Sequence, residues 1–191
     1  PGLIRGRDVY HLVKGAMLLD RAFAAERLES LAASMKDGAF RWDASEKKRL
    51  LLAGGVCDQP EVYDLIEESG GVVVWDDLCT GSRAFEAEVA GEGDLVAALA
   101  RRYLERPLCP AKHLSNTARS ERLASLAREH RADGVIFLLL KFCDPHAFDY
   151  PYLKERLDRE GVPSLLYEIE DRLPPEGQVR TRFESFIQML G

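Results

Sequence analysis

A three-layer α/β fold on a four-stranded parallel sheet is what this sequence predicts, and three observations predict it. Four short apolar runs, rich in leucine or β-branched residues, recur along the 191 residues. Between them lie amphipathic stretches of about 10 to 15 residues, the alternation that marks βαβ units with right-handed crossovers. The run RLLLAGGV is apolar in succession and bounded by charges, as a strand buried on both faces should be. Together these imply a flavodoxin-like or Rossmann-like sheet with expected strand order 2-1-3-4, although four strands permit other orders.

From Asp8 to Met35, apolar residues at Val9, Leu12, Val13, Ala16, Met17, Phe23, Leu28 and Leu31 fall at helical spacing, which gives one long amphipathic helix or two broken near Asp20. The charges of ERLESLAASMKD read as its solvated face, and KDGAFRWDASEKK as a polar connection. RLLLAGGV (Arg49 to Val56) is the first strand, and a helix follows from Pro60 to Ser69, started by its proline and stopped by Gly70-Gly71. GVVVWD (Gly71 to Asp76) is the second strand; after the loop DDLCTGSR comes a helix from Asp94 to Glu105. RPLCPAKHLSN is a proline-containing loop, and Thr117 to His130 a helix with Leu123, Leu126 and Ala127 on one face. GVIFLLLKF (Gly134 to Phe142) is the most apolar strand of all, followed by HAFDYPYLKERLDREG, helical after Pro151, with Leu153 and Leu157 as a core stripe. PSLLYEIE is the fourth strand and Gly177 to Leu190 the last helix. The expected organisation is residues 1–45 as long helix and connection, and 46–191 as the α/β domain, the whole packing as one unit.

Composition excludes several functions. No apolar run reaches the roughly 18 residues of a membrane helix, and PGLIRGRDVYHLVKG lacks the order of a signal peptide, so a cytoplasmic location is expected. A net charge of −6, with Lys and Arg interspersed among carboxylates, argues against nucleic acid as a partner. Cys57, Cys79, Cys109 and Cys143 form no CxxC pair, so neither a zinc ribbon nor a thioredoxin-type motif is present. His11, His113, His130 and His146 show no metal spacing, and His11 and His130 read as solvated helix residues. Gly54-Gly55 lacks the GxGxxG and Walker lysine contexts of a phosphate loop.

In open parallel sheets ligands bind outside the carboxyl ends of the strands, near the point where strand order reverses. The residues there are Cys57-Asp58, then Asp76, Asp77 and Cys79, then Cys143, Asp144 and His146, then Glu168 and Glu170. A cysteine is commonly a small buried hydrophobe, but Cys79 and Cys143 each follow an apolar run and are flanked by turn formers and charge. Thiolate ligands are found in such places.

Three segments carry a family resemblance. KFCDPHAFDYPYLKERLDREGVPSLLYEIE followed by GQVRTRFESF, with VYDLIEESGGVVVWDDLCTGSR and GRDVYHLVKGAMLLD before them, resembles the 2-hydroxyacyl-CoA dehydratase and benzoyl-CoA reductase family, D-component type. The resemblance spans nearly the whole chain. It implies the C-terminal α/β domain of a subunit about twice this length, with a 4Fe-4S cluster between two domains held by three cysteines and one open iron position. Cys143 matches the ligand in the strand-end motif, and the other two ligands are expected outside this chain. The implied chemistry is elimination of water from an (R)-2-hydroxyacyl-CoA by a dehydratase, a lyase of anaerobic metabolism: an ATP-dependent iron–sulfur activator supplies an electron, and the thioester carbonyl becomes a ketyl radical that expels the 2-hydroxyl.

The implied partners are a second dehydratase subunit, the activator and the acyl-CoA substrate; taken alone, the chain is expected to be cluster-free and inactive. Asp77, Glu168, Glu170, Thr181 and Arg182 also resemble family positions; Asp77, Glu168, Glu170 and Arg182 are candidates for the substrate edge, although Arg182 could simply pair with a strand-end carboxylate. Three alternatives stay open: Cys57, Cys79 and Cys143 holding a cluster together within this chain, a benzoyl-CoA reductase-type subunit, and a non-catalytic flavodoxin-like interaction module.

Overall fold

The structure, a computed structural model, describes residues 4–38, 42–106, 109, 115–170 and 173–191. In chain order the elements are α1 (Gly6–Leu18), α2 (Arg21–Lys36), β1 (Lys48–Gly54), α3 (Glu61–Glu68), β2 (Gly71–Asp77), α4 (Ser82–Phe85), α5 (Leu95–Glu105), α6 (Asn116–Glu129), β3 (Gly134–Leu140), α7 (Asp144–Arg159), β4 (Ser164–Ile169) and α8 (Glu176–Met189). The strands form one all-parallel sheet in the order β2-β1-β3-β4, the expected three-layer α/β arrangement.

Leu50, Leu51 and Leu52 are consecutive and fully buried, which requires helices on both faces of β1. Leu50, Leu52, Ile136 and Leu138 pack with Tyr10, Ile66, Val179 and Phe183 from α1, α3 and α8. Leu51, Ala53, Val135, Phe137 and Leu139 pack with Leu123, Ala127, Leu153 and Leu157 from α6 and α7. Each such leucine contributes about 1.5–3 kcal/mol by leaving water. The apolar runs therefore set the sheet, and the stripes on α6 and α7 set the layer that covers it.

The N-terminal stretch is two helices, with Asp20 as the cap that restarts the chain: its carboxylate accepts from the Phe23 N–H at 3.1 Å. Gly6 lets α1 approach α3, since a Cβ there would lie 2.8 Å from the Tyr63 ring. The helix after β3 begins earlier than expected, at Asp144, and runs through Pro151. Pro145 fits the first turn, and Pro151, inside the helix, lacks the N–H that would bond the Ala147 carbonyl. The loop DDLCTGSR closes into the short helix α4, whose start is fixed by Asp76. Most of RPLCPAKHLSN, including His113, lies outside the described residues. Among the described residues no helix is long and apolar enough to cross a membrane.

At the end of β1, Gly54 has φ +149°, and a Cβ there would sit 2.0 Å from the Leu138 carbonyl oxygen. Only glycine permits β1 and β3 to stay this close at their carboxyl ends. Gly54→Ala should cost at least about 3 kcal/mol, read as a fall in the urea midpoint, with α-helical content retained. An unchanged midpoint would show that the strand ends separate freely.

Candidate functional site

β1 lies between β2 and β3, so the crossovers leave it in opposite directions and strand order reverses between β1 and β3. The loops that follow these two strands therefore bound the ligand crevice of the sheet. On the β1 side, the Gly55 N–H donates to the Leu138 carbonyl at 3.2 Å, and the Gly55 carbonyl accepts from the Cys79 N–H at 3.0 Å. On the β3 side the chain turns at Phe142, a bulky residue held at φ +64° and almost wholly exposed. Such a backbone costs about 1–3 kcal/mol and is found where the surrounding structure imposes it. The turn places Cys143 at the N-cap of α7, where the unpaired N–H groups of a 16-residue helix favour negative charge. His146, in the first turn of α7, packs across the crevice on Gly55: a Cβ at Gly55 would lie 3.5 Å from its ring.

The cysteines differ sharply in state, and all four are free thiols. Cys57 is buried, its thiol donates to the Gln59 carbonyl at 3.7 Å, and burial pushes its pKa up. Its backbone is clamped by Thr80, whose hydroxyl accepts from the Cys57 N–H and donates to the Cys57 carbonyl, each at 3.2 Å. Cys79 is half-buried and accepts from Arg83 Nη1 at 3.4 Å; burial raises its pKa against the opposing charge of Arg83. Cys143 is half-buried, and no side-chain hydrogen bond engages it at the cap. Among the described residues no three His, Cys, Asp or Glu side chains converge as a metal-binding group. Cys143 is thus a partly accessible thiol, without a hydrogen-bond partner among the described residues, at a helix N-terminus on the ligand edge of the sheet.

Beneath this edge lies a buried ionic layer. Asp77 receives Arg83 in bidentate fashion, Nε to Oδ1 and Nη2 to Oδ2, both at 2.8 Å, and both residues are buried. Arg83 Nη2 also donates to the Asp77 carbonyl at 2.5 Å and to the Gly54 carbonyl at 3.1 Å. Burial alone would raise the Asp77 pKa, but the hydrogen bonds and charge of Arg83, with Arg119 and Arg122 nearby, outweigh it and hold the carboxyl below its usual value. Arg119 on α6 pairs with Asp149 on α7 at 2.5 Å, and Arg122 pairs with Glu86. His146 faces this layer; burial, then Arg83 and Arg119, depress its pKa to about 4.

Sequence reasoning places Asp77 on the edge and leaves Arg83, Arg119 and Asp149 out. The signal was available: Arg119-Leu123-Ala127 and Asp149-Leu153-Leu157 each carry a charge one turn before a buried stripe on the same helix face.

The remaining candidates stay apart from the crevice core. Glu168 and Glu170 are exposed, and Glu170 pairs with Lys141. Arg182 does fix α8 to the sheet, but through the Leu166 carbonyl at 3.1 Å and the Tyr167 ring at 5.6 Å instead of a carboxylate. The Thr181 hydroxyl donates to the Gly177 carbonyl at 2.8 Å within α8. His11 is exposed, whereas His130 is half-buried: its ring stacks on Trp75 with centroids 4.6 Å apart, because His130 caps α6 against the outer strand.

A family profile described as 2-hydroxyglutaryl-CoA dehydratase, D-component, matches residues 1–190. The chain is 27% identical over 190 residues to the (R)-phenyllactyl-CoA dehydratase beta subunit of Clostridium sporogenes, covering 100% of this chain and 50% of that one. To the beta subunit of the lactoyl-CoA dehydratase of Anaerotignum propionicum it is 29% identical over 150 residues, 78% of this chain and 39% of the relative. To a subunit of the benzoyl-CoA reductase of Thauera aromatica it is 27% identical over 195 residues, with 100% and 50% coverage. The chain spans about half the length of the curated relatives it matches.

Two outcomes follow from the ionic layer. Arg83→Leu strands a buried carboxylate and should cost about 3–5 kcal/mol, and adding Asp77→Leu should recover part of that loss; a double variant no more stable than the single one would refute the pairing. His146 is neutral when folded and binds a proton near pH 6.5 when unfolded, so its contribution is intact above pH 6.5 and is lost as pH falls toward 4. His146→Gln should lessen the acid loss of stability over that window by on the order of 3 kcal/mol in chemical denaturation at stepped pH, and parallel curves for the two proteins would contradict this.

Proposed function

Since the chain belongs to the 2-hydroxyglutaryl-CoA dehydratase D-component family, we propose that it is the part of an iron–sulfur 2-hydroxyacyl-CoA dehydratase subunit that supplies Cys143 as one ligand of a 4Fe-4S cluster. The observation that carries the reading is the placement of Cys143: a half-buried thiol at the N-cap of α7, beside the switch point of the sheet. When bound, such a cluster supplies an iron with an open position that can act as a Lewis acid toward a hydroxyl or carbonyl oxygen. The turn at Phe142 and the Leu140 carbonyl, which accepts from the Cys143 N–H at 3.1 Å, fix the thiol in place. The N-terminus of α7 offsets the negative charge of the sulfur. The Asp77–Arg83 layer holds the floor, and neutral His146 keeps the crevice free of an added positive charge.

The remaining ligands then come from outside this chain, since Cys57 is committed to the Gln59 carbonyl and Cys79 to Arg83. The substrate of this reading is an (R)-2-hydroxyacyl-CoA that loses water after a one-electron reduction delivered by an ATP-dependent activator, with a second subunit as partner in the cytoplasm. The benzoyl-CoA reductase among the relatives gives the alternative substrate class, an aromatic acyl-CoA.

The test uses the longest natural reading frame that contains this chain, produced and assayed without oxygen together with its companion subunit and activator. Cys143→Ala should lower iron per chain and visible cluster absorbance and abolish dehydration, whereas Cys57→Ser and Cys109→Ser should keep all three. Full iron content and activity in Cys143→Ala would overturn the assignment, and loss of the cluster in Cys57→Ser would favour a site formed by Cys57, Cys79 and Cys143 together.

A further inference from the structure

A cleft of about 150 Å³ opens between α1, the second half of β2 and the turn that leads into α4. Its apolar wall is Val9, Val13, Val73 and the rings of Tyr10, Tyr63 and Phe85. An apolar cavity of about this size is large enough to hold a benzene ring. The cleft is preformed by two glycines. Gly6 admits the Tyr63 ring, and at Gly81 a Cβ would sit 2.0 Å from Asp76 Oδ1, so the bare backbone can wrap the carboxylate.

Asp76 stands at the polar end. Oδ1 accepts from the N–H groups of Leu78 at 3.0 Å and Ser82 at 2.8 Å, which fixes the carboxylate, while Oδ2 has no hydrogen-bond partner among the described residues. Tyr63 is only 4% exposed, and its hydroxyl also makes no hydrogen bond among the described residues. Desolvation lifts Asp76 to a pKa of about 6, and Asp76 in turn is among the charges that raise the Tyr63 phenol. A fixed carboxylate with one unused oxygen, an unpartnered phenol and aromatic walls together call for a cation that brings its own apolar body.

We propose that this cleft binds a small primary ammonium compound carrying an apolar group the size of a benzyl ring. The ammonium donates to Asp76 Oδ2 and the Tyr63 hydroxyl, and the ring lies among Val9, Val13 and Phe85. This site uses none of Cys143, Asp77 or Arg83, so it stands whether or not the dehydratase reading holds.

Benzylamine is the probe, titrated into the uniformly 15N-labelled protein and followed by amide shifts. Saturable shifts at Val9, Val73 and Gly81 with a Kd on the order of 1 mM are expected, with benzyl alcohol at least about tenfold weaker for want of the charge. Asp76→Asn should weaken benzylamine by about tenfold or more. Val13→Trp, which fills the cleft and leaves the Asp76 turn intact, should abolish binding while preserving the spectrum elsewhere. The proposal is overturned by the absence of saturable shifts, by equal affinity for the alcohol, or by a folded Val13→Trp protein that binds as before.

Discussion

Asp77 and Arg83 are both withdrawn from water, and such a pair is tolerated only where nearly every lone pair and proton finds a partner. Arg83 meets that demand by reaching three segments at once: the Asp77 carboxylate and carbonyl at the end of β2, the Gly54 carbonyl at the end of β1, and the Cys79 sulfur in the following turn. Arg122 extends the contact to α6, with its Nε 3.8 Å from Asp77 Oδ1, and Arg119 ties α6 to α7 through Asp149. Four elements are thereby fixed at their ends nearest the crevice. The Gly54 backbone, which no side chain could occupy, is the point on which the guanidinium and β3 both close.

The strands were legible because burial on both faces leaves a mark that needs no partner: three consecutive leucines in β1 and seven apolar residues in β3 can be nothing but interior. The strand order was only an expectation, since four strands permit several orders, and the sheet adopts the expected 2-1-3-4 arrangement. The ionic layer was far less legible. Arg83 sits among turn formers in DDLCTGSR, where an arginine normally faces water, and its burial depends on the Gly54 carbonyl 29 positions away. His130 and His146 look equivalent as letters in helices. Their surroundings separate them: Trp75 arrives from the outer strand to cover one, and Gly55 with the arginines encloses the other.

The cysteines repeat that lesson. Sequence position put Cys57, Cys79 and Cys143 on one edge of the sheet, and the structure keeps them there. It gives the three thiols different tasks, because the loop after β1 turns inward beneath Thr80 while the turn at Phe142 lifts outward. Chain direction after a strand, set by one or two backbone angles, decides whether a strand-end thiol enters the core or stays partly exposed, and that information is not carried by residue type.

Asp76 and His146 shift in opposite senses for the same reason. Burial disfavours charge, so it lifts the acid Asp76 to about 6 and depresses the base His146 to about 4. Between those values both are predominantly neutral when folded, whereas in water one would be an anion and the other a cation. Folding thus removes one proton from His146 and adds one at Asp76, and the two opposing contributions to acid stability partly cancel. The sheet edge can hold two buried titratable groups without a steep overall dependence on pH in mild acid. Each group remains available to a ligand that would restore its charge or hydrogen bond.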